Sequence, residues 1–220
     1  MKTGYTKIIF VIDRSGSMSN IAKDMEGGFK SFIEQQKKEN FGQCDVSLYQ
    51  FDDKYDAVFE NVNLSDVPSY SLIPRGGTAM NDAICKTINT VGETLSKMNE
   101  SDRPDRVLFV IITDGQENSS KEYSGQQVKD LIKRQTEQYS WTFTYLGANQ
   151  DAWFVAQSFG IADTSKVLKY AANVSGVACS WNSLARNVSA YRGSSIGGAA
   201  ANACFAYSEK DKQEQVKSGA

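Results

Sequence analysis

The chain has 220 residues, room for one full domain and an appendage at roughly 100–200 residues per domain. Forty per cent of the residues are apolar and 11% aromatic, a supply that builds a core and excludes wholesale disorder. Twenty-four basic against 26 acidic residues leave a net charge of −2, so nothing global attracts nucleic acid or an anionic membrane; the absence of histidine excludes Ser-His-Asp and Cys-His catalysis and imidazole zinc sites.

Ile8-Ile9-Phe10-Val11-Ile12 is a continuous apolar run of strand length, the pattern of a parallel strand buried on both faces. It is too short for a secretion signal, which needs about 7–15 apolar residues, or for a membrane helix of about 20. Asp13-Arg14-Ser15-Gly16-Ser17-Met18-Ser19 follows and is rich in turn and cap residues. Ile21, Met25, Phe29, Phe32 and Ile33 then recur at helical spacing up to Lys38, with Gly27 and Gly28 weakening that helix or allowing close packing.

Val46, Leu48 and Phe51 suggest a second strand and Ala57-Val58-Phe59 a third, joined at Asp52-Asp53-Lys54 by a hairpin tip expected in solvent. A loop with Pro68 and Pro74 ends in Arg75-Gly76-Gly77-Thr78, and a helix runs from Ala79 to about Met98. Val107 to Ile112 is the second fully buried strand, ending at Thr113-Asp114-Gly115. A helix over 125–139, a strand from Trp141 to Leu146 followed by Gly147-Ala148-Asn149, a short helix capped by Asp151 and an edge strand at Val167-Leu168 complete the pattern. Trp153 and Phe154 read as core.

Strands alternating with helices predict an α/β domain over about 5–170, a doubly wound, mainly parallel sheet with helices on both faces. Residues 171–220 differ in composition and read as a C-terminal extension. One helix is expected over Ser180 to Tyr191, then a Gly/Ala/Ser-rich stretch and a charged, frayed end from Ser208. The Gly198 stretch lacks the lysine of a phosphate loop, so no nucleotide is expected. Cys44, Cys85, Cys179 and Cys204 show no CxxC spacing and are expected as reduced thiols of a cytoplasmic protein, which makes the Asn118 and Asn187 sequons chance matches.

Three polar segments sit where strands end or helices begin: Asp13, Ser15 and Ser17; Thr78; and Asp114. In open α/β sheets, ligand sites lie outside the carboxyl ends of the strands. Each segment alone has a plain structural explanation as a helix cap or turn. Together they form a set of two carboxylates and three hydroxyls, with no sulfur or nitrogen. Such all-oxygen donors suit a hard cation, Mg²⁺ or Mn²⁺; if one carboxylate binds through water, the ion stays under-neutralised and an external carboxylate would complete its shell.

Asp13-x-Ser15-x-Ser17 after a strand, Gly-Gly-Thr78, and Thr113-Asp114-Gly115 after a second strand resemble the metal-ion-dependent adhesion site of von Willebrand factor type A domains. The resemblance covers about residues 5–170 and implies a Rossmann-like fold. It implies hydroxyl ligands at Ser15, Ser17 and Thr78, and aspartates Asp13 and Asp114 that bind directly or through water. It further implies a non-enzymatic module that recognises an Asp or Glu on a protein partner, of the small standalone bacterial or phage type. Arg14, Met18, Asn20, Arg75, Met80, Gln116, Glu117 and Asn118 are the expected rim, with both arginines favouring an acidic partner. Two other readings remain open, an assembly component docking through 171–220 and a Mg²⁺-dependent hydrolase. No motif fixes an acid–base group for the latter.

Overall fold

A computed structural model describes residues 1–148, 151–195 and 197–220; Asn149 and Ile196 of the stretches above lie outside the described residues. Its centre is a six-stranded sheet built from β1 (Lys2–Asp13), β2 (Cys44–Phe51), β3 (Tyr55–Asn63), β4 (Pro104–Thr113), β5 (Thr142–Ala148) and β6 (Val167–Tyr170), in the order β3-β2-β1-β4-β5-β6. Only β3 is antiparallel to its neighbour, as the short 52–54 connection requires. The order reverses beside β1, so β1 and β4 lie side by side, with Ile12 opposite Ile112. The two sequence segments ending in Asp13 and Asp114 therefore reach the same sheet edge at the switch point.

Alternation along β1 divides the core in two. Ile8, Phe10 and Ile12 face one layer, where α1 (Ala22–Lys38) and α5 (Val174–Gly193) pack; Ile9 and Val11 face the other, where α2 (Met80–Ser96), α3 (Gly125–Tyr139) and α4 (Ala152–Ser158) pack. Trp181 of α5 sits among Phe10, Phe29 and Phe32 with ring centroids 5.9 Å from each. Gly28 makes that possible, because a Cβ there would overlap the Trp181 ring. The glycine pair in α1 thus serves close helix packing.

The sequence reading sets 171–220 apart as an extension, whereas the structure gives this segment part of the main core. Val177, Trp181, Leu184, Val188, Phe205 and Tyr207 all belong to the α1 layer. The segment also holds the short α6 (Gly198–Ala201) and, in place of the expected frayed end, α7 (Glu209–Lys217). A reciprocal capping box of Ser208 and Asp211 starts α7, and Arg186 of α5 grips Asp211 at 2.5 Å and Glu214 at 2.9 Å. Composition concealed this helix, because its stability comes from caps and ion pairs instead of an apolar stripe.

Candidate metal centre

The site begins with two strand ends. Asp13 closes β1 and is 0% exposed, and Thr113 closes β4 beside it. Thr113 Oγ1 donates to Asp13 Oδ2 at 2.6 Å, and the Ser15 amide donates to Asp13 Oδ1 at 2.6 Å. Ser15 and Ser17 then stand with their Oγ atoms 3.0 Å apart, at the start of a 3-10 turn over Gly16–Asn20. Ser17 Oγ donates to Asp114 Oδ1 at 2.5 Å, which ties the first loop to the loop after β4.

Thr78 arrives from a third loop. Gly76 adopts φ +66, a left-handed conformation that glycine supplies without Cβ strain. Asn118 Oδ1 accepts the Thr78 amide at 2.8 Å, and the Asn118 amide donates back to Thr78 O at 3.1 Å. Glu117 holds the same loop from inside, accepting from the amides of Asn81, Ser119 and Ser120 at 2.8–2.9 Å.

Gly115 reveals how these oxygens converge. A Cβ built on it would lie 3.3 Å from Thr78 Oγ1, 3.5 Å from Ser17 Oγ and 3.8 Å from Asp13 Oδ2. Donors from all three loops therefore surround one small space that glycine leaves open. Neither Asp13 nor Asp114 has a lysine or arginine partner among the described residues. Burial pushes the Asp13 carboxyl up to about 6, against hydrogen bonds from Thr113 and Ser15, and Asp114 adds to the rise. Burial also raises Asp114, with Ser17 opposing. One buried and one half-buried carboxylate without an internal cation, beside neutral hydroxyls, fit a divalent ion bound by oxygen. No cluster of three or more carboxylate, thiol or imidazole side chains offers another metal site among the described residues.

The chain belongs to the von Willebrand factor type A domain family. The family model matches residues 7–154. Type A domains bind a divalent metal at the adhesion site and are mostly adhesion or protein-interaction modules. No curated protein matches the sequence. Among solved structures, the fold is similar to the pilus adhesin SpaC from Lactobacillus rhamnosus GG, with TM-score 0.62 and 14% identity over 86% of this chain and 30% of that one. Proximal thread matrix protein 1 from the mussel byssus, with a zinc-occupied MIDAS motif, gives TM-score 0.57 and 15% identity over 84% and 46%. The PilB minor pilin of Streptococcus sanguinis gives 0.57 and 11% over 84% and 61%. At these identities the likeness is one of fold, and this chain spans less than two thirds of each of those proteins. None of the helices among the described residues is long and apolar enough to cross a membrane.

The rim of this type A domain departs from the sequence expectation. Met18 and Met80 are fully buried. Arg14 and Arg75 turn toward Asp52 instead of outward, at 2.8 and 2.6 Å from its Oδ2, and Arg14 also pairs with Asp56. Asp52 is therefore no solvated tip residue; it is 2% exposed. Its backbone carbonyl accepts the Ala79 amide at 3.0 Å, Arg75 N donates to Arg14 O at 2.9 Å, and Gly16 N donates to Gly76 O at 3.2 Å. Asp52 thus clamps the Ser15–Ser17 loop to the Thr78 loop. Sequence reasoning missed this role, because Arg14 and Arg75 are distant along the chain and Asp-Asp-Lys looks like any exposed turn. Elsewhere, Trp153 is half-buried against the α2 layer, while Phe154 is exposed and not core.

Proposed function

We propose that this type A domain is a metal-dependent protein-binding module in which Asp13, Ser15, Ser17, Thr78 and Asp114 hold one Mg²⁺ or Mn²⁺. The observation that carries the reading is the convergence of Thr78, Ser17 and Asp13 oxygens on the open space at Gly115, with Asp114 joined to Ser17. When bound, the cation supplies a concentrated positive charge that seeks anionic oxygen. Asp13 and Asp114 would offset that charge, Ser15, Ser17 and Thr78 would contribute neutral oxygens, and an aspartate held through water would leave the ion receptive to a carboxylate from an Asp or Glu of a partner protein.

Asp52 keeps the two hydroxyl-bearing loops in register and, together with Asp56, offsets the charge of Arg14 and Arg75. The acidic preference of the partner therefore rests on the metal site and not on those arginines. The four cysteines are free of disulfides, which fits our placing of the module in a reducing compartment, a cytoplasm; its bacterial or phage type rests on the family resemblance alone.

Titration calorimetry with Mn²⁺ tests the site: one ion is expected for the wild type, and Asp114→Ala is expected to lose most of the affinity. Equal affinities contradict the assignment. An affinity pull-down in Mg²⁺ against one in EDTA then tests partner capture. Single Asp→Asn and Glu→Gln changes in the captured partner test the bridge, and one such change is expected to reduce binding to the EDTA level.

A further inference from the structure

Three arginines are buried among the described residues, and two of them are paired: Arg14 with Asp52 and Asp56, and Arg106 with Asp105 at 3.4 Å. Arg192, in the last turn of α5 and 3% exposed, forms no ion pair among the described residues. Its Nη1 donates to Gln36 O at 3.2 Å and to Gln36 Oε1 at 3.0 Å, and its Nε is sealed without a partner. Nη2 is neither sealed nor hydrogen-bonded among the described residues. Phe41 covers the guanidinium, with its ring centroid 5.9 Å from Cζ. A buried guanidinium held by neutral groups alone keeps an unbalanced charge.

Arg192 walls an open cavity of about 300 Å³. Cys44 lines it too and lies opposite Thr6 in β1. Asp13 is seven residues further along β1, so the cavity is about 23 Å from the metal cradle at roughly 3.3 Å per residue.

The lining is rich in donors. Lys37 reaches only Glu34, at 3.6 Å on the surface, a pair that holds its charge weakly. Gln43 Oε1 accepts from Lys2 Nζ at 2.7 Å, and Asn63 Oδ1 accepts from the Ser65 amide at 3.1 Å and the Ser65 hydroxyl at 2.8 Å. Both amides have thus committed their acceptors elsewhere and keep NH₂ groups for a ligand. Burial pushes the Cys44 thiol up to about 11 against the pull of Arg192, so it stays neutral. Glu39 is the one carboxylate among the described lining residues, set against two cations. The carboxyl ends of α1 and α5 also converge here and disfavour an anion, but Nη1 already answers Gln36 O and Lys38 lies in the last turn of α1.

We infer that this cavity binds a phosphate group, either free or carried by a small phosphomonoester. Arg192 Nη2 and Lys37 meet its charge, and the Gln43 and Asn63 amides donate to its remaining oxygens. These donors come from four separate segments, an arrangement that suits a tetrahedral oxyanion better than a flat carboxylate, and guanidinium is the side-chain group best matched to phosphate. The site is separate from the metal cradle and does not depend on it.

The test uses the full chain freed of metal and chelator, so its outcome is distinct from that of the metal reading. Titration calorimetry at pH 7 and matched ionic strength, with inorganic phosphate in one arm and glycerol 3-phosphate in the other, is expected to show one saturable site. The tighter arm identifies the source of the phosphate group. Acetate should bind at least about tenfold more weakly than the tighter arm. Lys37→Ala should weaken binding about threefold or more, and Glu39→Gln should strengthen it about threefold, since each alters one charge at the cavity. Arg192→Lys keeps the charge but loses the planar fork, and should weaken binding about tenfold or more. If that variant fails to fold, the Lys37 and Glu39 variants decide the matter. Amide hydrogen exchange is expected to slow over 37–44 when the anion is bound. Absence of saturable binding in both arms overturns the proposal, as does acetate binding as tightly as phosphate. Saturable binding that neither Lys37→Ala nor Glu39→Gln alters places the anion elsewhere and overturns it as well.

Discussion

Asp13 and Asp52 are both buried aspartates at the same sheet edge, yet their surroundings have opposite character. Asp13 receives neutral donors, from Ser15 and the Thr113 hydroxyl, and burial holds its carboxyl up at about 6. Burial also pushes Asp52 up, but the Arg75 hydrogen bond, the Lys54 amide and the Arg14 guanidinium outweigh it and hold that carboxyl below its ordinary value. The fold satisfies one charge internally and leaves the other, though buried, without an internal cation. Residue type alone does not separate the proposed ligand Asp13 from the clamp Asp52; the presence of an internal counter-charge does.

The largest expected effect comes from breaking the clamp. Asp52→Ala leaves the buried Arg14 guanidinium without its inner partner, and removal of one member of a buried ion pair costs about 3–5 kcal/mol. Because Arg75 is half exposed and Asp56 remains beside Arg14, the lower end of that range is expected. Chemical denaturation in EDTA checks it, and a change below about 1 kcal/mol would show that the clamp is ornamental.

Metal affinity should next respond to pH through Asp13. The metal-bound form needs the carboxylate, so a group titrating at about 6 lowers apparent Mg²⁺ affinity about tenfold between pH 7 and pH 5. The sign for folding follows from linkage. Because the folded value lies above the unfolded one, metal-free stability from this group is greatest below about pH 4 and is lost as pH rises toward 6. The loss is about 3 kcal/mol, and the cation is expected to offset it. Calorimetric titrations and EDTA melts across pH 4–7 read both effects; a pH-independent affinity would remove Asp13 from the site.

A smaller effect is expected from filling the cradle. Gly115→Ala places a methyl group 3.3 Å from Thr78 Oγ1 and 3.5 Å from Ser17 Oγ. Metal affinity should fall about tenfold, while stability in EDTA should shift by less than about 1 kcal/mol. An unchanged Mn²⁺ isotherm would place the ion elsewhere.

The same contrast explains what could be read from sequence. Continuous runs at Ile8–Ile12 and Val107–Ile112 announce buried parallel strands, and polar residues at their ends announce the edge where Asp13, Ser15, Ser17, Thr78 and Asp114 meet. Local signals of this kind need no knowledge of distant partners. Asp52 carries none, Gly28 leaves close packing as one of two alternatives, and the Ser208-x-x-Asp211 start of α7 is a local signal masked by the charged composition around it. Asp52 acquires its role from Arg14 and Arg75, Gly28 from Trp181 in α5, and α7 from Arg186 and its capping box. Apart from the local capping box, each depends on a residue far along the chain, where composition and periodicity give no warning. Lys7 follows the same logic: it is buried within an apolar strand and is satisfied by Asn61, from across the hairpin.

Thermal unfolding of Asp13→Asn and Asp52→Asn, each in EDTA and in Mg²⁺ at pH 7, tests most directly whether these two carboxylates are reserved for different counter-charges. Asp13→Asn should melt at or above the wild type in EDTA, because the amide relieves an uncompensated buried charge, and should gain nothing from Mg²⁺. Asp52→Asn should melt below the wild type in both conditions while its remaining folded fraction still responds to Mg²⁺. An Asp13→Asn protein that is less stable than wild type in EDTA, or that is still stabilised by Mg²⁺ as the wild type is, would contradict the account.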